Sequence, residues 1–304
     1  MRACDHPGVP EGARIGLVGC GRWGKHILRD LRALGCEVAV VARSAESRAT
    51  AEVGGATSTV GSIADLPEVD GIVVATPIST HAAVVEEALG PGVPVFVEKP
   101  LADDPVAAER LAAAADGRLF VMDKWRYHPG VELLGELARS GELGQVVGLR
   151  TTRLGWERPR DVDYVWVLAP HDLAIGLEIF GELPAPRSAV GSHDALVGLL
   201  GEHPWQALEV SGRSQARRRE VALVCEEGIA ALDDSYDDHV SVLRRGAGPE
   251  PERRPVSAAL PLLCELQAFV EHLAGGPPPR SSARDGAAVV RALSELRVLA
   301  GLDS

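Results

Sequence analysis

The sequence has no excess of positive charge. Its 304 residues carry 31 Lys and Arg against 43 Asp and Glu, a formal net charge of -12, so it offers no electrostatic footprint for nucleic acid or for an anionic membrane surface. The basic residues that do cluster, at 217–219, 244–245 and 253–254, read as solvated strand edges and loops. Cysteine is scarce as well. Cys4, Cys20, Cys36, Cys225 and Cys264 are odd in number and show no CxxC spacing, which argues against a disulfide framework or a zinc site, leaves no metal expected, and fits a reducing cytoplasm. No window approaches the run of about eighteen apolar residues that a membrane helix needs. Residues 1–12 hold Asp5, His6 and two prolines where a signal peptide would carry an apolar core, and read as a flexible tail. Internal repeats are also lacking.

What is present is length enough for two domains and an alternation of short apolar runs with helical patterns. Arg14 to Val18 is a β-rich run that passes directly into Gly19-Cys20-Gly21-Arg22-Trp23-Gly24. With 33 glycines in the chain, about 0.4 matches to G-x-G-x-x-G arise by chance, so context has to supply the specificity. Trp23, Ile27, Leu28, Leu31 and Leu34 follow at helical spacing, which places the glycines between a strand and an amphipathic helix. There the first glycine permits a tight turn, the second lets backbone approach a pyrophosphate, and the helix amino terminus offers N–H groups.

The second strand, Glu37 to Val41, ends at Ala42-Arg43-Ser44. An NAD-binding unit would usually carry an acid at that point for the ribose 2'-hydroxyl. An arginine and a hydroxyl suit a 2'-phosphate instead, which puts NADP(H) ahead of NAD(H) and leaves NAD(H) open. Further strands are read at 70–75, 93–97 and 118–122, the first ending in Ala75-Thr76-Pro77 with a helix opened by His81, the second in Glu98-Lys99-Pro100. Strands alternating with helices predict an α/β Rossmann domain with a doubly wound parallel sheet over residues 13–122. Charge at a strand's carboxyl end is where such sheets bind ligands. Over 123–304, runs at 145–152, 205–212, 220–225, 229–232 and 239–243 read as successive strands. A charged loop at 244–255, a helix at 262–273 and a last helix at 285–299 follow. Residues 164–173 lead into an apolar helix over 173–180.

In order and spacing, Gly19 to Gly24, Ala75-Thr76-Pro77 with Ser79-Thr80-His81, and Glu98-Lys99-Pro100 resemble the glucose-fructose oxidoreductase, inositol dehydrogenase and MocA-like family, Gfo/Idh/MocA. Arg126 within residues 124–129, the turn at 140–144 and Arg284-Asp285-Gly286-Ala287 extend the resemblance over nearly the whole chain. It implies an oxidoreductase moving a hydride between NAD(P) and a carbonyl or hydroxyl carbon of a sugar, nucleotide-sugar or cyclitol. It also implies a second, α+β domain with an open, mainly antiparallel sheet that pairs with another subunit, in a dimer or tetramer. Lys99 is then the expected catalytic residue, with His171 at the family's proton-handling position; Val167 and Ala174 stand where two acids would be. Cofactor contacts are expected from Gly19, Gly21, Arg22, Trp23, Gly24, Arg43, Ser44, Ala75, Thr76, Pro77, His81, Glu98 and Lys99. Substrate contacts are expected from Lys99, Trp125, Arg126, Tyr164, His171 and Asp172. Two other readings compete: a non-enzymatic dinucleotide-binding regulator or sensor, and a lyase or hydrolase that uses NAD in a redox-assisted cycle.

Overall fold

The computed structural model describes residues 12–156 and 161–302; the expected tail at 1–12 lies almost wholly outside them. The chain divides into two compact units, residues 1–124 with 259–287, and 125–258 with 288–304.

The first unit holds six parallel strands, β1 (Arg14–Val18), β2 (Glu37–Val41), β3 (Ser58–Val60), β4 (Gly71–Val74), β5 (Val95–Glu98) and β6 (Leu119–Met122), in the order β3-β2-β1-β4-β5-β6. Parallel pairing needs crossovers, and α1 (Gly24–Ala33), α2 (Ala45–Val53), α3 (His81–Leu89) and α4 (Pro105–Ala114) supply them. The central strands are buried along their length, as their Val- and Ile-rich runs demand.

One helix departs from the expected division at 122. α7 (Pro261–Leu273) belongs to the first unit. Its Leu262, Leu266, Phe269 and Val270 recur at helical spacing and join the core made by Ile27, Leu28 and Leu31 of α1 and Phe96 of β5. Each such side chain contributes about 1.5–3 kcal/mol on burial, which a hydrophobic stripe this long gains only against the open face of the sheet. The expected unit 123–304 is thus discontinuous in the fold.

The second unit carries an eight-stranded sheet in the order β14-β13-β12-β11-β7-β10-β9-β8. The strands are β7 (Val146–Trp156), β8 (Pro186–Ser192), β9 (Ala195–Gly201), β10 (Trp205–Ser211), β11 (Arg213–Cys225), β12 (Gly228–Leu232), β13 (His239–Arg244) and β14 (Glu252–Pro255). All neighbours pair antiparallel except β7 and β10. β14 corrects the expected loop at 244–255. Its arginines mark an edge strand, where Arg254, with Arg244, clasps Glu142. The remaining helices are α5 (Pro129–Ser140), α6 (Tyr164–Phe180) and α8 (Ala283–Leu299). α6 starts nine residues before the expected 173, because Asp163 caps it by accepting from the Trp166 N–H at 3.1 Å and Pro170 is tolerated inside it. His171 therefore lies in the body of a helix.

Cys20, Cys36 and Cys225 are free and buried, whereas Cys264 in α7 is disulfide-bonded. Among the described residues no helix is long and apolar enough to cross a membrane.

Candidate active site

In the first unit β1, β4 and β5 are neighbours running the same way, so the turns that follow them share one edge of the sheet. Gly19 adopts φ +93°, and a Cβ there would meet the Ala75 carbonyl oxygen at 2.8 Å; one on Gly24 would meet the Gly19 oxygen at 2.2 Å. Both positions need glycine to bring α1 against the turn. Gly21 is different, with nothing within 4 Å of its ideal Cβ, so its backbone faces open space. The amino terminus of α1 has no side-chain cap. An uncapped helix start behind an open glycine is a fit for the pyrophosphate of a dinucleotide.

At the end of β2, Ser44 caps α2, its Oγ accepting from the Ser47 N–H at 3.1 Å, and the Ser47 Oγ accepts from the Cys20 N–H at 3.3 Å. Sequence reasoning missed Ser47, which ties the glycine turn to α2. Ser44 keeps its O–H to donate. Arg43 is exposed and lies 3.6 Å from Glu87, a surface pair of little strength.

His81 was expected at the cofactor. It is fully buried, and its Nδ1 and Nε2 lie 2.7 Å from the Pro100 carbonyl oxygen and 3.0 Å from that of Thr76. It fastens the turn after β4 to the turn after β5. Both ring nitrogens donate only in the imidazolium form.

Glu98 ends β5 and Lys99 follows it, both partly buried. The Lys124 Nζ stands 4.4 Å from the centroid of the Trp23 ring, a cation–π contact. Burial pushes the Glu98 carboxyl up to about 7, against the opposing pull of the Lys99 and Lys124 ammonium groups and of the Trp23 indole N–H, which acts on it without well-formed hydrogen-bond geometry. Sequence reasoning also missed Glu265, buried on α7 with Glu98 as its strongest charged influence. The available signal was an acid among the apolar positions of that helix.

In the second unit, Trp125 and Asp172, expected at the substrate, are buried. The Arg153 guanidinium stands 4.3 Å over the Trp125 ring, its Nε donates to Asp172 at 2.7 Å, and both charged side chains are buried. The Gln206 Nε2 donates to the Asp172 carbonyl oxygen at 2.8 Å. Arg126 pairs with Glu178 at 3.2 Å. Tyr164 is buried, with its ring against Gly212, where a Cβ would approach it to 2.4 Å. Val167 and Ala174 are buried apolar residues. Neither Asp163, held by Arg297 at 2.6 Å, nor Asp172 is available to replace an acid at those positions. His171 stands apart: from Tyr164 to Leu177 it is the one residue of α6 that is not buried.

A parallel sheet with an open glycine turn, and a lysine delivered at the carboxyl edge, defines a dinucleotide-binding oxidoreductase. Residues 13–121, about a third of the chain, match the family described as "Oxidoreductase family, NAD-binding Rossmann fold". The chain is similar, at 27% identity over 94% of its own length and 96% of the relative's, to UDP-N-acetylglucosamine 3-dehydrogenase of Acidithiobacillus ferrooxidans. The solved structure of that protein superposes with a TM-score of 0.83 at 25% identity, covering 96% of this chain and 99% of the other. Similarity of 29%, over 94% of each chain, relates it to dTDP-3,4-didehydro-2,6-dideoxy-alpha-D-glucose 3-reductase of Streptomyces violaceoruber. Inositol 2-dehydrogenase of Rhizobium meliloti is 25% identical over 80% of this chain and 77% of its own.

Proposed function

We propose that the protein transfers a hydride between NADP(H) and a carbonyl or hydroxyl carbon of a sugar, nucleotide-sugar or cyclitol. The observation that carries this reading is Lys99, set at the carboxyl end of β5 on the edge that also holds the glycine turn. Two relatives that match it over 94% of its length are named for nucleotide sugars, which favours that substrate class. NADP(H) is favoured by the exposed Arg43 and the free O–H of Ser44 at the end of β2.

The dinucleotide, when bound, supplies or accepts the hydride. Gly19 to Gly24 would hold its pyrophosphate, and Arg43 with Ser44 its 2'-phosphate. Lys99 binds the substrate oxygen, stabilises negative charge as it develops and donates a proton in the reducing direction. Glu98 orients Lys99. His171, half-buried on α6, is the second proton-handling group. Trp125, Tyr164 and Asp172 shape its surroundings from within the core. A second copy of the chain is the proposed partner: Val197, Leu199, Ile229 and Leu243 are apolar side chains left exposed by strand alternation on the eight-stranded sheet.

The test is a screen in which purified protein is given NADP+ or NAD+ with UDP-N-acetylglucosamine, dTDP-glucose or myo-inositol, and the reduced nicotinamide absorbance is followed. Turnover of a nucleotide sugar, faster with NADP+, is expected. Binding of either dinucleotide without turnover of any sugar, nucleotide sugar or polyol would instead support the sensor.

A further inference from the structure

Three acids gather at the carboxyl edge of the first sheet: Glu98 at the end of β5, Asp123 just after β6, and Glu265 on α7. Two periodicities place Glu265 there. Phe96 and Glu98 are two residues apart on a strand and share a face; Glu265 and Phe269 are four apart on a helix and share a stripe. Phe96 and Phe269 stack, with ring centroids 4.9 Å apart and planes at 25°, so the same register directs Glu265 toward Glu98. Glu265 is only 1% exposed, and its Oε2 has no hydrogen-bond partner.

The charges that act on Glu265 are, in order, Glu98, Lys124, Asp123 and Lys99. The chain contains only three lysines, Lys25, Lys99 and Lys124, and two of them belong to this group. Three ionised acids against two ammonium groups would leave a net negative charge in a dry site, which is costly. One protonated acid brings the cluster to neutrality. Burial, then Glu98, push the Glu265 carboxyl well above its ordinary range, and Glu265 is the more deeply enclosed of the two, Glu98 being only half-buried, so the shared proton is placed on Glu265.

We propose that Glu265 is a positioning residue for Lys99: as a neutral acid it donates its O–H to the Glu98 carboxylate, holding that carboxylate in place to orient the Lys99 ammonium. This rests on the reading of Lys99 given above. No bond breaks in this arrangement; one proton is shared by two carboxyl groups, and the second carboxyl carries the negative charge that faces Lys99.

The test needs no substrate, so its failure is separate from failure of the proposed reaction. Competitive acetylation with acetic anhydride at pH 8, read by mass spectrometry, gives the labelling rate of Lys99 relative to the exposed Lys25 in the same molecule. Glu265→Leu removes the donor, favours protonation of Glu98 and deprives Lys99 of its anion; the Lys99 to Lys25 ratio is expected to rise about tenfold, one pKa unit. Glu265→Gln keeps a donor and is expected to stay near the parent ratio. An unchanged ratio in Glu265→Leu, or an equal rise in both variants, overturns the proposal. Infrared spectroscopy covers the case in which the Leu variant does not fold. The parent at pH 8 should show the C=O stretch of a buried protonated carboxyl that is missing in Glu265→Gln, and absence of that band from the parent overturns the proposal as well.

Discussion

A lysine at the end of a strand is tested by removing its charge while keeping its bulk. Lys99→Met is expected to lower turnover by at least about 100-fold, the scale of a lost general acid, with the dissociation constant for NADPH within about threefold of the parent, because the pyrophosphate contacts come from the glycine turn. Undiminished turnover would remove Lys99 from the chemistry. Arg43 makes a different contribution. It lies at the end of β2 with only an exposed pair to Glu87, so Arg43→Ala should leave NADH binding as it was and weaken NADPH binding about tenfold, the value of a charge-assisted contact of about 1.5 kcal/mol. Titration of both dinucleotides by tryptophan quenching checks it; equal losses for the two would contradict a 2'-phosphate contact. Single residues were the least legible part of the sequence. Asp172 beside a histidine suggested a polar site, yet its carboxylate belongs to Arg153, nineteen positions upstream on another element. His81 gave no sign that both its ring nitrogens would meet carbonyl oxygens. Pairings of that kind are set by tertiary packing, which periodicity does not encode.

Elements were far more legible, because burial on one face or two writes itself into the apolar period. β1, β2, β4, β5 and β6 lie within two residues of the expected bounds. The failures have particular causes. β3 is three residues long and carries Ser and Thr, too short for a pattern. β14 consists of Glu-Arg-Arg-Pro and exists only because β13 offers it an edge. α6 begins well before the expected 173 and takes in Pro170, because an apolar helix buried nearly all round is held by its packing. At its centre the Arg153–Asp172 pair bridges α6 to β7, and breaking a buried pair by removing one partner strands the other charge. Asp172→Ala is accordingly expected to cost about 3–5 kcal/mol of stability, read from urea or guanidinium unfolding midpoints of the variant and the parent. A loss below about 1 kcal/mol would mean that Arg153 finds water or another acid.

For the whole molecule, the ionisation of Glu98 sets a trend with pH. Its folded pKa of about 7 stands above the ordinary value of 4.5, so the folded chain holds this proton more tightly than the unfolded one. The stability it contributes is fully present below about pH 4.5 and is lost as pH rises to about 7. Thermal midpoints at pH 5 and pH 8 should therefore differ less in Glu98→Gln than in the parent, and an identical pH dependence would contradict the shift. The class of both domains could be read from strand spacing, but their chain composition could not. Nothing in the apolar stripe of α7 says which sheet it will cover, since the stripe would serve either.

That excursion of α7 has a consequence for how the protein is made. The polypeptide leaves the first unit after residue 124 and comes back to it at 259. Synthesis runs from the amino terminus, and domains generally fold as they emerge. The dinucleotide-binding sheet is translated first, yet Phe96 lacks Phe269 until the second unit's eight strands have been made. The nascent chain must therefore carry an uncovered apolar sheet face while residues 125–258 are made, and the first unit is finished only by residues 259–287.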